Sequence, residues 1–465
     1  MTDVIHGAKA PAAKSAANTY YFIAWRWHFY AGLYVIPFLL MLAVTGLTML
    51  WIAWGAGIGA ERMSVAPQDA PLAVSTLQAA AEGAVPGGVA VQYVEPLSAD
   101  RVATFAIDSE TGRTGIALNP YTGEVLHRFA WRGGWYDTMN EIHGTLMLGA
   151  FGDRMIEIAA SLAMVLVLTG LYLHWPRGGG WRAALLPRLS AKGRSFWKSL
   201  HGALGMWISL ILVMFLLSGL SWAGIWGERM VQAWNTFPAE KWGAPLSDAT
   251  HADMNHNGAE EVPWTLEQTP LPLSGSLAGE AAISQPVNID RIAEFARGLG
   301  FVGRFQVSLP VEATGVWTIS HDSMSNDGPN PSADRTLHID QYTGHVLADV
   351  RYADYSPYAK AMAWGIALHE GDMGIWNLVL NTLFCLSVVM VSISGLVMWW
   401  KRRPDGTARL AAPPKPKGLA IWKTAAALVI GLGVLFPMAG LAILTVLVLD
   451  RTLLRVVPSV RAMVS

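Results

Sequence analysis

Five long apolar runs constrain this chain more than any other feature, at residues 30–51, 156–173, 206–226, 376–400 and 419–449. Each is close to the ~20 residues that carry an α-helix across a bilayer core. Backbone N–H and C=O groups in hydrocarbon must pair within their own segment, so the runs are expected as helices. The last run holds Pro437 and reads as one tilted, kinked crossing or as two shorter pieces; one crossing is the expectation carried forward. A content of 52% hydrophobic and 14% charged residues fits an integral membrane protein with sizeable polar insertions. Many of the 21 Trp sit near the ends of the runs, as in an interfacial belt.

Lys and Arg set the expected orientation. Arg177, Arg182, Arg188, Lys192, Arg194 and Lys198 follow the second run, and Lys401, Arg402, Arg403, Lys415 and Lys417 follow the fourth. Both connections are therefore expected on the cytoplasmic side, with residues 52–140 and 227–364 outside. The first run follows a polar stretch with Lys9 and Lys14 and resembles a signal-anchor. A net charge of −1 and the lack of a basic stripe exclude nucleic acid as an expected partner. The single cysteine, Cys385, lies in an apolar run, so no disulfide or thiolate metal cluster is expected.

Two runs carry one small pattern: His28, Gly32 and Thr45-Gly46, then His201, Gly205 and Ser218-Gly219. From His to the last Gly is 18 residues in both copies. That is five turns of helix, about 27 Å on one face. An imidazole beside side-chain-free notches is what a helix offers the edge of a flat macrocycle. Close helix packing is the other reading, since small residues are enriched wherever membrane helices touch. The external stretches repeat too. Asn119-Pro-Tyr-Thr-Gly-Glu-Val-Leu126 and Asp340-Gln-Tyr-Thr-Gly-His-Val-Leu347 read as strand-turn-strand, with strands expected before each at 104–107 and 115–118, and at 315–320 and 336–339. Helical stretches precede them near 73–82 and 289–299. Each half thus reads helix, external α+β module, helix, which implies a pseudo-twofold axis along the membrane normal.

The Tyr-Thr-Gly-Glu-Val-Leu strand, the two His-xxx-Gly helices and the run Thr169-Gly-Leu-Tyr-Leu-His-Trp-Pro-Arg177 together resemble the PepSY-associated transmembrane proteins, over most of residues 20–405. That family includes ferric-siderophore reductases of the bacterial inner membrane. The resemblance implies a haem-b electron conduit that reduces an iron chelate on the periplasmic side. The expected fold is a membrane α-helical bundle: four core helices in two pseudo-twofold repeats, a fifth C-terminal helix, and two periplasmic PepSY-like α+β modules. The expected divisions are a cytoplasmic tail (1–20), helix one (21–56), a module (57–135), a surface helix with helix two (136–177), a loop (178–195), helix three (196–228), a module (229–360), a surface helix with helix four (361–403), a loop (404–417), and helix five with the tail (418–465). The fifth helix departs from the four-helix form of the siderophore reductases.

The histidines sort by depth. His28, His201 and His174 lie at the cytoplasmic level, while His143 and His369 precede the second and fourth runs on the external side. Two levels of histidine suit two stacked bis-histidine haems, His28 with His201 and His143 with His369. An interfacial histidine that binds only water or a headgroup is the plainer reading of each. His174 is the rival inner ligand. Its equivalent, when Gly170 is aligned with Gly395, is Trp399. His143 stands thirteen residues ahead of its run and needs a fold-back, which Gly144, Gly149 and Gly152 would permit. Arg26 and Lys198 inside, and Arg132 and Arg154 outside, are candidate propionate partners, although lipid headgroups are the commoner partner of such residues. The aromatic stretch 131–136 is a candidate lining for an external substrate cleft.

His251, Met254 and His256 form a possible soft-metal set, against the commoner case of chance histidines in a polar loop. No dinucleotide or phosphate-binding fingerprint occurs, so electrons would come from a quinol or a separate reduced flavoprotein. A small-molecule transporter and a haem-free sensor or peptidase-regulating module remain as alternatives. Intramembrane carboxylates are scarce, which counts against the transporter.

Overall fold

The computed structural model describes residues 11–178, 180–255, 261–403, 410–414, 422–452 and 456–457. Helix α1 (Pro11–Gly55) runs unbroken through Pro37. After it come α2 (Val74–Gly83), β1 (Val89–Val94), β2 (Ala103–Ser109), β3 (Gly112–Leu118), β4 (Val125–Ala130), α3 (Trp135–Thr145) and α4 (Gly149–His174). Then α5 (Gly180–Leu185) leads to α6 (Gly193–Leu220), β5 (Leu246–Thr250), β6 (Pro270–Pro272) and β7 (Glu280–Ala281). The second α+β region is α7 (Ile289–Gly298), β8 (Gln306–Ser308), β9 (Val316–His321), β10 (Arg335–Asp340) and β11 (His345–Arg351). The remaining helices are α8 (Pro357–Glu370), α9 (Ile375–Trp400), α10 (Trp422–Leu435) and α11 (Pro437–Arg451).

Among the described residues, four helices are long and apolar enough to cross a membrane: Thr19–Gly55, Gly149–His174, Gly193–Leu220 and Ile375–Trp400. The expected fifth crossing is two helices instead. Pro437 has no N–H with which to continue the ladder of α10, and Phe436 breaks it at φ −135°, ψ 84°. The chain folds back there. Gly433 meets Gly440 so closely that a Cβ on Gly440 would lie 2.6 Å from the Gly433 Cα. At 14 and 15 residues, the pieces are about 21–23 Å long, short of a bilayer core.

The chain divides into two compact units. The first comprises Met1–Val44, Gly144–Arg229 and Leu383–Ser465. Its core joins Val35 of α1, Ala163 and Val167 of α4 and Leu216 of α6. A second cluster seats Phe436 and Ala439 on Leu220 and Ala223. Buried Glu157 accepts from the backbone N–H groups of Ile225 and Trp226, at 3.2 and 3.1 Å, and lies 3.4 Å from the Arg154 guanidinium. This intramembrane carboxylate therefore caps the chain where α6 ends, a structural duty. Between α3 and α4 the chain reverses through Leu146 and Met147, both at positive φ. A Cβ on Gly152 would fall 1.6 Å from the Thr145 carbonyl oxygen, so only glycine fits that bend.

The second unit, Thr45–His143 with Met230–Thr382, holds one antiparallel sheet of nine strands in the order β4-β3-β2-β1-β8-β9-β10-β11-β7. Two separate modules were expected; here β1 pairs with β8, Tyr93 opposite Val307, and fuses them. The reason is the edges. Each α+β region alone would leave a strand edge with unpaired backbone groups, and joining the two removes both. Helices α2 and α7 lie side by side over one face, with Ser75 Oγ donating to Asp290 at 2.6 Å. Beneath them Leu77, Tyr93, Phe105, Ile292, Phe305 and Ile319 form the core. The Tyr-Thr-Gly turns are where the sequence places them. Gly123 and Gly344 take φ +72° and +71°, while Asn119 and Asp340 accept from the backbone N–H groups of Tyr121 and Tyr342 at 2.9 and 2.8 Å.

Candidate functional site

The first unit brings His28 of α1 and His201 of α6 together, with ring centroids 6.1 Å apart and planes at 89°. His28 Nδ1 lies 3.0 Å from the Thr169 hydroxyl, whose own proton goes to the Val165 carbonyl at 2.6 Å. Thr169 therefore accepts, Nδ1 carries the proton, and the lone pair sits on Nε2. His201 reaches the same state through the Val391 carbonyl, 3.0 Å from its Nδ1, with the Ser394 hydroxyl also at 3.0 Å. A carbonyl can only accept, so this Nε2 is a lone-pair donor as well.

The second unit brings together His143 of α3 and His369 of α8, centroids 6.4 Å apart and planes at 78°. His143 Nδ1 is 2.8 Å from the Thr45 hydroxyl. Burial pushes His143 down to about 4, and burial with the neighbouring His143 pushes His369 to about 3, so both imidazoles are neutral at neutral pH. Asn377 and Asn381 fix the end of α8. Their Nδ2 groups donate to the Leu368 carbonyl at 3.0 and 2.8 Å, and Asn381 also to that of His369 at 3.0 Å. These are carbonyls a helix end leaves without partners.

Two imidazoles that share one metal ion, each about 2 Å from it through nitrogen, have centroids about 6 Å apart. Both pairs have that separation. Among the described residues no group of three or more His, Cys, Asp or Glu converges on a common point. Two imidazoles with no further side-chain ligand suit a metal whose other positions come from a macrocycle, so the residues fit haem.

Glycine seats the rings. A Cβ on Gly170 would come within 3.1 Å of His28 Cε1, one on Gly395 within 3.5 Å of His201 Cε1, and one on Gly46 within 3.5 Å of His143 Cε1. In each case the residue before the glycine is the hydroxyl that holds Nδ1: Thr169, Ser394 and Thr45. The hydroxyl-glycine pair is thus an imidazole clamp, supplied by a helix other than the one that carries the histidine. Gly46, read from spacing as a macrocycle notch, seats His143. A side chain at Gly205 would meet open space, and one at Gly32 only Leu166 at 3.9 Å.

All four clamped or paired histidines fall in one continuous stretch with a family signature. The family model of the PepSY-associated TM region matches residues 25–402. The chain belongs to that family. No curated protein sequence matches it. The PepSY-associated TM region covers both histidine pairs and all three clamps, and leaves α10 and α11 outside.

Most other candidates within the PepSY-associated TM region have partners of their own. His174 gives its Nε2 to the Ala184 carbonyl at 2.9 Å and lies against Gly202, where a Cβ would be 2.4 Å from its ring. Arg26 holds the Pro413 carbonyl and the Tyr30 hydroxyl. Arg154 pairs with Asp153 and Glu157, and Arg132 with Glu261 at 2.8 Å and Asp137 at 3.8 Å. Lys198 is exposed. His256 lies outside the described residues. Sequence reasoning missed Thr169, Ser394 and the two asparagines. Thr169-Gly170 and Ser394-Gly395 repeat the motif already noted at Thr45-Gly46 and Ser218-Gly219, and that repetition was the available signal.

Proposed function

We propose that this chain is a di-haem b oxidoreductase of the bacterial inner membrane that reduces a periplasmic ferric chelate, a ferric siderophore in the first instance, and releases Fe(II). The observation that carries the reading is the repeated pair of imidazoles about one shared-metal distance apart, in two units that each anchor Nδ1. In this reading His28 with His201 hold one haem b and His143 with His369 the other, the two members of each pair being related by the pseudo-twofold of the two halves. Haem iron, when bound, supplies one-electron transfer.

The chain's own residues bind and orient. Thr169, Ser394 and Thr45 fix the ring planes, and the Val391 carbonyl fixes the His201 tautomer, as partners of metal-bound imidazoles do. The donor is a quinol or a cytoplasmic reduced flavoprotein. One electron converts Fe(III) in the chelate to Fe(II), which hard oxygen ligands hold less tightly, so release follows reduction. The test is direct. Purified protein should be red, a pyridine haemochrome assay should find two haems b per chain, and ferric siderophore should reoxidise dithionite-reduced protein. A colourless protein would favour the haem-free sensor or transporter readings. A red protein that ferric chelates leave reduced would reject the substrate alone.

A further inference from the structure

A third histidine pair lies buried in the second unit. His251 opens a short 3-10 turn, His251–Met254, and His338 sits on β10; they are 1% and 0% exposed. Their Nε2 atoms are 2.8 Å apart. His251 Nδ1 donates to the Thr269 carbonyl at 2.7 Å, so its lone pair is on Nε2. His338 Nδ1 is 3.0 Å from the Thr318 hydroxyl, which can give or take a proton. The Trp242 ring packs on both, with centroids at 6.1 and 5.8 Å. Burial pushes His251 down to about 4, and burial with the His251 neighbour holds His338 well below the usual range.

As a neutral pair these rings can also be one satisfied hydrogen bond, His338 Nε2–H to His251 Nε2. That bond leaves two neighbouring facts without a purpose. His251 and Met254, but not His338, line one cavity of about 20 Å³, together with Glu261, Thr318 and Thr336, which is room for one water or one ion. The Thr336 hydroxyl, 2% exposed, has no hydrogen-bond partner among the described residues. Met254 follows His251 by three positions, and in a 3-10 turn side chains three apart eclipse, so thioether and imidazole share a side. A Thr250–Asp253 capping box holds the turn.

We propose that His251 Nε2, His338 Nε2 and Met254 Sδ form a binding site for copper(I). Two imidazoles and a thioether make a soft, three-ligand set that suits Cu(I). Zinc would want a fourth, harder or thiolate ligand; the Glu261 carboxylate lines the same cavity but is held by Arg132 at 2.8 Å, and no group of three His, Cys, Asp or Glu converges among the described residues. On binding, His338 changes tautomer, its proton carried on Nδ1 instead of Nε2 and donated as a hydrogen bond to the Thr318 hydroxyl oxygen, so no net proton is released. The nitrogens must part from 2.8 Å to about 3.5 Å for a trigonal ion with bonds of about 2 Å. The site is independent of the haem reading.

The test uses full-length protein in detergent, titrated anaerobically with Cu(I) against bicinchoninate, with retained copper measured by elemental analysis. One Cu(I) per chain should be retained, and X-ray absorption should show two nitrogen neighbours and one sulfur. Met254→Leu preserves volume and should weaken retention about tenfold or more without moving the melting midpoint. His338→Gln should abolish it, and His127→Ala, at an exposed site, should leave it unchanged. No retained copper, equal retention by wild type and Met254→Leu, or a spectrum without sulfur would overturn the proposal and leave a buried His–His hydrogen bond.

Discussion

The Thr169 hydroxyl lies 3.0 Å from His28 Nδ1 and 2.6 Å from the Val165 carbonyl, so one oxygen accepts from an imidazole while its proton serves its own helix. Thr169→Val removes the acceptor and leaves a buried N–H unpaired, at a cost of about 1–3 kcal/mol. The expected result is a shifted midpoint potential, or about tenfold weaker haem retention, for the His28–His201 pair alone. Thr169→Ser should restore both. A potential that stays in place in the valine variant would assign Thr169 to packing.

Glycine substitutions should divide by what they meet. Gly170→Leu and Gly46→Leu press on His28 and His143 respectively, and each should disturb the spectrum of one haem. Gly205→Ala points a methyl into open space and should leave both spectra unchanged. Disturbance by all three, with falling protein yield, would indicate general packing instead.

Ligand pairing is tested by loss in twos. His28→Ala and His201→Ala should remove one and the same haem, and His143→Ala and His369→Ala the other. His174→Ala should keep two haems, because its Nε2 is committed to the Ala184 carbonyl. A one-haem His174→Ala protein would make that residue the inner ligand. In the proposed function, His143→Ala or His369→Ala should also end reduction of the ferric chelate.

Buried Asp322 in the second unit gives a pH prediction. Burial, then the Asp327 charge, raises its carboxyl above the usual range. A raised carboxyl is protonated in the folded state at pH values where the unfolded chain is already ionised. Stability is therefore lost as pH rises from the ordinary Asp value of about 4 toward neutrality. Asp322→Asn keeps an oxygen to accept from the Ser325 N–H, 2.9 Å from the carboxyl now, and removes the titration. Its melting midpoint should exceed wild type by a few degrees at pH 8 and match it near pH 4. Equal midpoints at both pH values would show that Asp322 is solvated.

Local pattern in this chain determined what local physics can decide. Four runs were legible as crossing-length helices because hydrocarbon tolerates no unpaired backbone, and the Tyr-Thr-Gly turns because Gly123 and Gly344 must reach positive φ. His28 and His201 were legible from duplicated spacing and helix periodicity, and His143 and His369 from their places ahead of the second and fourth runs. What holds them was not. Thr169 stands 141 residues from His28, and the Val391 carbonyl 190 from His201, so only the packed helices decide which hydroxyl or carbonyl meets which Nδ1. The fusion of two modules through β1 and β8 was hidden for the same reason: strand pairing is chosen by two edges that meet, and periodicity within either strand carries no record of its partner. The break at Phe436 stood between the two cases. Pro437 marked it in the sequence, but a kink and a fold-back differ only in whether Gly433 can touch Gly440, which tertiary packing decided.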